Sequence, residues 1–372
     1  MGKINNYQLL TLTVVFTIGG TTVFNMGSEA KRDSWLAIIV GLIMGTVYLW
    51  LFVQLQNIYP DKNLVDITFD LLGKIIGAPL VLLVVLQFIY QSSRSFRDYG
   101  ELIVTTFLED TPLLVIHIVF MLLMCYVIYL GYETLARTNE ILTPIFILFF
   151  LITYLLIIIT GKVNFSELTP VLAEGFSPVI KTAYRKLVMW PYGEIVVFLM
   201  FWKYAENKNQ IFKISFISFI ISTFIITSSS IIILSTLGLD YGSTIIMSLI
   251  EVIRNISIGG VLTNLDAIGI LILFIGGFYK TIIYFLGGIL AFAALFKIKD
   301  YRWLIIPFGV FTVWFSVIFE GNYPYHIWLG WEVTLLYSHP IFILIIPILL
   351  LLIALLKKNT DKATSKALHK RR

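Results

Sequence analysis

Two apolar stretches of this chain are interrupted, one by Ile18-Gly19-Gly20-Thr21-Thr22 and the other by Trp190-Pro191-Tyr192-Gly193-Glu194. The first interruption lies in the apolar run 9–26, and the second lies in the run 187–202. Hydrocarbon tolerates non-helical backbone only where it is buried in protein or lines a cavity. Interrupted helices at corresponding positions in the two halves of a membrane protein indicate a solute site near mid-membrane. We therefore predict a solute-binding site at these two breaks.

The composition is that of a polytopic membrane protein. Of the 372 residues, 58% are hydrophobic and only 13% are charged, whereas soluble domains carry about 25% charged residues. The one cysteine, Cys125, excludes a disulfide within one chain. The four histidines have no metal-ligand spacing and no phosphate-binding loop is present, so we expect neither an enzyme nor a cofactor. The basic tail 357–372 is interpreted as attracted to lipid, and no nucleic-acid partner is expected.

Ten apolar segments are long enough to cross a bilayer, which requires about 20 helical residues. The predicted spans are 9–27, 34–57, 79–108, 112–131, 141–160, 186–203, 211–237, 263–296, 303–320 and 333–356. Lys and Arg are more frequent on one side, which predicts a cytoplasmic N-terminus and a cytoplasmic C-terminus. Trp35, Trp328 and Trp331 are then expected in an outer aromatic belt. The stretch 325–328 either contacts solute in the outer vestibule or belongs to this belt, and we favour the belt. A short interfacial helix is expected at 248–256.

The two halves of the chain correspond. Five spans precede the outer loop 161–185 and five follow it, and the breaks fall in the first and the sixth span. An odd number of spans in each half inserts the halves in opposite senses, as in inverted repeats. We predict an all-α membrane protein with a first repeat at 1–160, a second repeat at 186–356 and a cytoplasmic tail at 357–372.

Polar residues recur every three or four positions along the third predicted span, at Gln87, Tyr90 and Gln91, Arg94, Asp98 and Glu101. Residues with this spacing share one face of a helix. A charge at the bilayer centre costs at least about 2.5 kcal/mol, so this face cannot contact lipid. It either lines the solute cavity or forms a polar spine in which Arg94 pairs with Asp98.

Two further charges lie inside predicted spans. Lys280 either replaces a coupling cation, titrates because burial lowers a lysine pKa, or forms a salt bridge with Asp98, Glu101 or Glu194. We favour the salt bridge. Glu194 begins the half-helix after the second break, where it either binds an amine of the solute or compensates the helix dipole. For Glu194 we favour solute binding.

The first break is expected to place a half-helix N-terminus at the cavity, where backbone N–H groups would bind a carboxylate. The alternative is close helix packing through small residues, which is the only role expected for Gly276-Gly277 and Gly287-Gly288. The two breaks together would hold both ends of a zwitterionic amino acid. The candidate ligand-binding residues are Gly19, Gly20, Thr21, Thr22, Tyr90, Arg94, Asp98, Trp190, Pro191, Tyr192, Gly193, Glu194, Lys280 and Tyr284.

Three motifs carry a resemblance to a known family. They are Trp190-Pro191-Tyr192-Gly193-Glu194, Phe107-Leu108-Glu109-Asp110-Thr111-Pro112, and Gly131-Tyr132-Glu133 followed by Arg137-Thr138-Asn139-Glu140-Ile141-Leu142-Thr143-Pro144. The chain resembles, essentially end to end, the spore germination permease-like family, the B subunit of GerA-type nutrient germinant receptors of spore-forming bacteria. The tail 357–372 lies outside the motifs.

The resemblance implies a relative of the amino acid–polyamine–organocation transporters, with a LeuT-like fold whose helices 1 and 6 are broken. It implies a germinant-sensing subunit in the inner membrane of the spore, with an A subunit and a lipoprotein C subunit as partners. Germinants of such receptors are amino acids, sugars or nucleosides, and we favour an amino acid. An active amino-acid permease and a conduit for ions or water are the competing functions.

Overall fold

The structure is a computed structural model that describes residues 2–22, 24–256, 266–319 and 321–369. The described part of the chain is 84% helical and holds no β-strand, only an isolated backbone bridge between Ile4 and Ala205. The predicted all-α class is confirmed.

The first half of the chain contributes five main helices. Capping boxes at Asn5 with Gln8 and at Asn63 with Asp66 fix the starts of the first and third helices by satisfying free backbone N–H groups. The third helix has 43 residues and is kinked at Gly73, where φ is +69°. The helices are α1 (Asn6–Ile18), α2 (Ser34–Ile58), α3 (Leu64–Thr106), α4 (Leu113–Leu130) and α5 (Tyr132–Ile159).

The second half is less regular than the first. Its sixth segment, α6, starts as an α-helix at Ser177–Thr182, continues in π-helical turns over Ala183–Tyr192 and ends in 3₁₀ turns over Gly193–Met200. Next come α7 (Ile211–Leu237), α8 (Asp266–Leu295) and α9 (Arg302–Ile318). The last segment, α10, begins at Tyr323–Trp328, passes through π-helical turns at Leu329–Ser338 and Pro340–Ile345, and ends as the α-helix Ile346–His369.

Length and composition identify membrane-crossing helices directly. Seven helical stretches in the described part are long and apolar enough to span a bilayer, and the two apolar helices α1 and α9 are shorter. The segment α6 is divided by its break into short pieces. The chain is thus an integral membrane protein, and the count of ten spans stays a prediction.

Helices α3 and α8 share the most extensive interface of the fold. Glycines of α8 allow this approach, since a Cβ atom on Gly288 would contact the side chain of Ile89 and one on Gly277 would meet the ring of Tyr99. A Cβ atom on Gly287 would lie 3.0 Å from Val197. The predicted packing role of these glycines is confirmed.

The short helix predicted after α7 is present at Ser248–Arg254, and its interfacial position stays a prediction. Its apolar side chains Leu249, Val252 and Ile253 are buried against α7 and α8. Hydrophobic spacing marks one apolar face of a helix, and that face is covered here by protein. The first residues of the predicted span 263–296 and the end of the basic tail lie outside the described residues.

Candidate functional site

The first break ends α1 without starting another helix. The chain leaves the helix at Gly19, and Gly20 adopts φ +83°, a conformation that glycine enters without strain. Thr21 folds back, with its Oγ1 donating to the carbonyl of Ile18 at 2.7 Å. The next helical turns, at Ser28–Asp33, begin only after Gly27.

The expected half-helix N-terminus at this break is therefore wrong. The end of a helix at which carbonyls lack partners carries a partial negative charge. Because α1 ends at Ile18 beside the cavity, the first break favours a cation there and disfavours a carboxylate. The sequence located the break, but it did not show that the helix end at the cavity is a C-terminus.

The second break is present where the sequence predicts it. Within the π-helical turns of α6, Trp190 takes the extended values φ −138° and ψ 117°. Pro191, which follows, has no N–H to donate to the preceding turn. The chain then continues in 3₁₀ turns from Gly193, with Glu194 in their first turn.

A buried ion pair joins this break to α8. The ammonium of Lys280 lies 2.5 Å from Oε2 of Glu194, and both side chains are less than 5% exposed. Gln91 donates to the other carboxylate oxygen at 3.3 Å, and the phenol of Tyr284 interacts with the same carboxylate. The favoured salt bridge of Lys280 is confirmed, and its partner is Glu194.

The cavity lies between the two breaks and has a volume of about 70 Å³, which is room for a few water molecules or one small solute. It brings together seven of the predicted site residues and many others. The predicted residues that line it are Gly19, Gly20, Arg94, Asp98, Trp190, Glu194 and Lys280. Gln91 of the predicted polar stripe and Ile327 of the stretch 325–328 also line it. The lining residues that the sequence did not identify are Phe24, Ser95, Tyr99, Gly330, Trp331, Thr334, Leu335 and His339.

The other predicted residues lie behind the cavity wall. Tyr192 is fully buried and its hydroxyl is 2.6 Å from that of Thr223 on α7. Tyr90 and Tyr284 contact lining residues without lining the cavity themselves. The remaining residues that do not line the cavity are Thr21, Thr22, Pro191 and Gly193.

A seam of polar contacts joins the stripe of α3 to α10. Five polar residues of α3 between Gln87 and Asp98 each meet a polar group of α10, so the stripe lines the cavity and also forms a polar spine. The contacts are Gln87 to Ser338 at 2.7 Å, Tyr90 to Thr334 at 2.7 Å, Gln91 to His339 at 2.5 Å, Arg94 to the His326 carbonyl at 3.0 Å, and Asp98 to His326 at 2.8 Å.

This seam corrects the expected outer belt. His326 is fully buried and bonded to Asp98, so it is no interfacial residue. Trp331 lies on the cavity, with its ring centroid 5.2 Å from that of Trp190 and 6.3 Å from that of Phe24. Trp328 is 52% exposed, and the belt positions of Trp35 and Trp328 stay predictions. A sequence pattern cannot distinguish aromatic residues of a membrane belt from those of a cavity wall, because both combine apolar rings with polar neighbours.

Two polar atoms in the cavity wall have no partner in the part of the chain that the structure describes. They are Oε1 of Gln91 and Nδ1 of His339, both fully shielded from solvent. Leaving a buried polar atom unpaired costs about 1–3 kcal/mol. Such atoms in a cavity wall indicate groups that a bound solute or water satisfies. Among the described residues, no group of three His, Cys, Asp or Glu side chains is arranged to hold a metal ion.

The sequence matches a known protein family. A profile of the spore germination protein family matches residues 3–324. The chain belongs to this family. It is 30% identical over 357 residues to spore germination protein KB of Bacillus subtilis, covering 96% of both chains. It is also 23% identical to spore germination protein A2 of the same organism, covering 76% of this chain and 77% of that one.

Solved transporter structures share the fold of this family member. A closed, bromovinylhydantoin-bound structure of Mhp1, a nucleobase-cation-symport-1 family transporter, superposes with a TM-score of 0.65 at 14% identity, covering 92% of this chain and 78% of that one. A substrate-bound, outward-open Na⁺-coupled sialic acid symporter gives the same TM-score at 12% identity, with the same coverage. The expected LeuT-like fold and a permease-like membrane protein are thus supported.

Proposed function

We propose that this protein is the nutrient-sensing membrane subunit of a spore germination receptor. It binds a small solute, with an amino acid favoured, in the cavity between the two helix breaks. Binding shifts a conformational equilibrium that partner subunits detect. The observation that carries the proposal is the cavity itself, which combines broken helices, buried charges and unpaired polar atoms in a chain that belongs to the spore germination family.

The charges of the cavity fit a zwitterion. The planar guanidinium of Arg94 matches the two oxygens of a solute carboxylate. The C-terminal end of α1 and the carboxylate of Asp98 favour an ammonium group. The rings of Trp190 and Trp331 supply apolar walls for a side chain. Both solute ends are thus bound by groups other than the Lys280–Glu194 pair, which neutralises itself.

The proposed architecture has ten spans in two inverted repeats of five, with both termini in the cytoplasm and the protein in the inner membrane of the spore. The seven long helices, the shorter α1 and α9 and the broken α6 support this arrangement. The proposed partners are the A and C subunits of the receptor, within the lipid bilayer.

The motif between Gly131 and Pro144, at the start of α5, supports a signalling route. Glu140 accepts a hydrogen bond from Gln8 of α1 at 3.0 Å. Thr138 accepts one from the hydroxyl of Tyr279 at 3.0 Å, and Tyr279 is adjacent to Lys280 of the cavity. A movement of α8 at the cavity therefore reaches the motif through one residue. We propose that partner subunits detect this inner end of the protein.

The alternative function is an active amino-acid permease, which the superposition on symporters favours. One experiment separates the two. Purified protein is tested for saturable binding of radiolabelled amino acids, and the same protein in proteoliposomes is tested for uptake. Binding without uptake supports the receptor, and binding with uptake supports the permease. Arg94→Gln should abolish binding, whereas Asp61→Asn, on the exposed surface, is the control. Wild-type protein that binds no amino acid would contradict the permease and the choice of an amino acid as the solute of the receptor.

A further inference from the structure

Lys280 is held in a cage that has the chemistry of an amine-binding site. Its ammonium is 2.5 Å from a carboxylate oxygen of Glu194. The same nitrogen lies 5.3 Å from the ring centroid of Trp190 and 5.6 Å from that of Phe16. A carboxylate combined with aromatic faces is the arrangement by which proteins recognise ammonium ions.

The cage is built by residues other than Lys280. Its three walls come from α1 and α6, whereas Lys280 enters from α8. Gln91 and Tyr284 orient the carboxylate of Glu194 independently of the lysine. The position of Glu194 is therefore fixed by several groups, and the ammonium is the one component that a separate molecule can supply.

We propose that Lys280 is a tethered ligand, which fills a primary-amine subsite of the cavity in place of an external ammonium ion. This inference deepens the proposed function, on which it rests, because it assigns the two ends of the cavity different roles. The amine subsite at the second break is closed by the chain itself. The solute then binds on the side of the first break, Arg94 and Asp98, and needs no amine that contacts Glu194.

The subsite should become accessible when the lysine side chain is shortened. Lys280→Ala removes the atoms from Cγ to Nζ, which are the atoms of n-propylammonium. The vacated space opens toward the cavity that Lys280 lines. In Lys280→Ala, Glu194 stays as a buried carboxylate without its ion-pair partner, a condition that favours capture of a small cation.

The test measures the Tm of purified full-length protein against n-propylammonium chloride, with sodium chloride and n-propanol as controls. Lys280→Ala should melt below the wild type, and its Tm should rise with n-propylammonium by roughly 2–4 °C near 100 times the Kd. The wild type and Lys280→Met, whose side chain fills the same space, should show no rise. The double variant Lys280→Ala, Glu194→Gln should show none either, because the carboxylate is absent.

The outcomes distinguish this inference from the proposed function. No rise in Lys280→Ala, or an equal rise in the double variant, would overturn the tethered ligand. If Lys280→Ala does not fold alone, it is purified with and without n-propylammonium, and only recovery of the folded chain with the amine supports the inference. Wild-type protein that binds no amino acid, beside Lys280→Ala that binds n-propylammonium, would reject the amino-acid solute of the proposed function and retain the amine subsite.

Discussion

Gly276 of α8 lies directly against the first helix break. A Cβ atom on Gly276 would be 3.1 Å from the Cα of Gly19 and 3.2 Å from the ring of Phe146. The backbone of α8 thus supports the turn that ends α1, and a side chain at this position would have to displace that turn. This contact is specific to small residues, in agreement with the packing role of glycine between membrane helices.

Gly276→Ala should therefore destabilise the protein by about 1–3 kcal/mol, the usual cost of overpacking, and should weaken solute binding. Tm and binding measured on the same preparation check both effects. Gly242→Ala is the matched control, since the nearest atoms to its Cβ would be at 3.5 Å. Equal stability of Gly276→Ala and the wild type would show that the break can shift without cost.

The contact between Tyr90 and Thr334 tests the seam between α3 and α10. Their hydroxyl oxygens are 2.7 Å apart, and Thr334 is buried. Tyr90→Phe and Thr334→Val should each leave one hydroxyl unpaired, whereas the double variant leaves none. A double-mutant cycle on Tm should give a coupling energy of about 0.6 kcal/mol, the average for hydrogen bonds between membrane helices. A coupling of zero would mean that this contact does not hold the two segments together.

The sequence predicted the fold class and both breaks because these depend on local composition. Gly19-Gly20 and Pro191 disfavour helical backbone, and apolar runs of sufficient length are recognised from composition alone. The stripe of α3 was also readable, because helical spacing places its members on one face. The buried salt bridge of Lys280 follows from the cost of an unpaired charge in the membrane.

The partners of these residues could not be read in the same way. His339, Thr334 and Trp331 line the cavity from α10, and nothing in their local sequence separates them from packing or interfacial residues. Their roles arise from a contact between α3 and α10, which lie far apart in the chain. The sequence also did not show which helix end lies at the first break. That depends on where the next helix begins, which is at Ser28 and not at Gly20.

A surface ion pair between the loop after α2 and the turn before α7 gives a pH prediction. Lys208 lies against Asp61, and its hydrogen bond and charge lower the pKa of that carboxyl below the usual 3.8. A carboxyl whose pKa is lowered by folding stabilises the folded state above 3.8, and this contribution is lost as the pH falls through the lowered value. Because Asp61 is fully exposed, the effect is small.

Asp61→Asn should accordingly melt slightly below the wild type near neutral pH, and the difference should disappear in acid well below pH 3.8. Melting curves of both proteins over this range check the prediction. Lys208→Gln should show the same pH dependence, because it removes the other half of the pair. A difference that persists unchanged in acid would show that the carboxylate charge is not its origin.

Asp98 is the negative charge that faces Arg94 in the cavity wall. It accepts from His326 at 2.8 Å and its carboxylate interacts with the charge of Arg94. Asp98→Asn removes the negative member of this cluster and leaves the guanidinium partly uncompensated, which should cost about 3 kcal/mol. The double variant Arg94→Gln, Asp98→Asn carries neither charge, so it should recover most of the lost Tm. Its solute binding should stay absent, because the proposed carboxylate ligand Arg94 is gone. Stability that returns together with binding would mean that Arg94 serves the fold alone, and that the solute carboxylate is held elsewhere in the cavity.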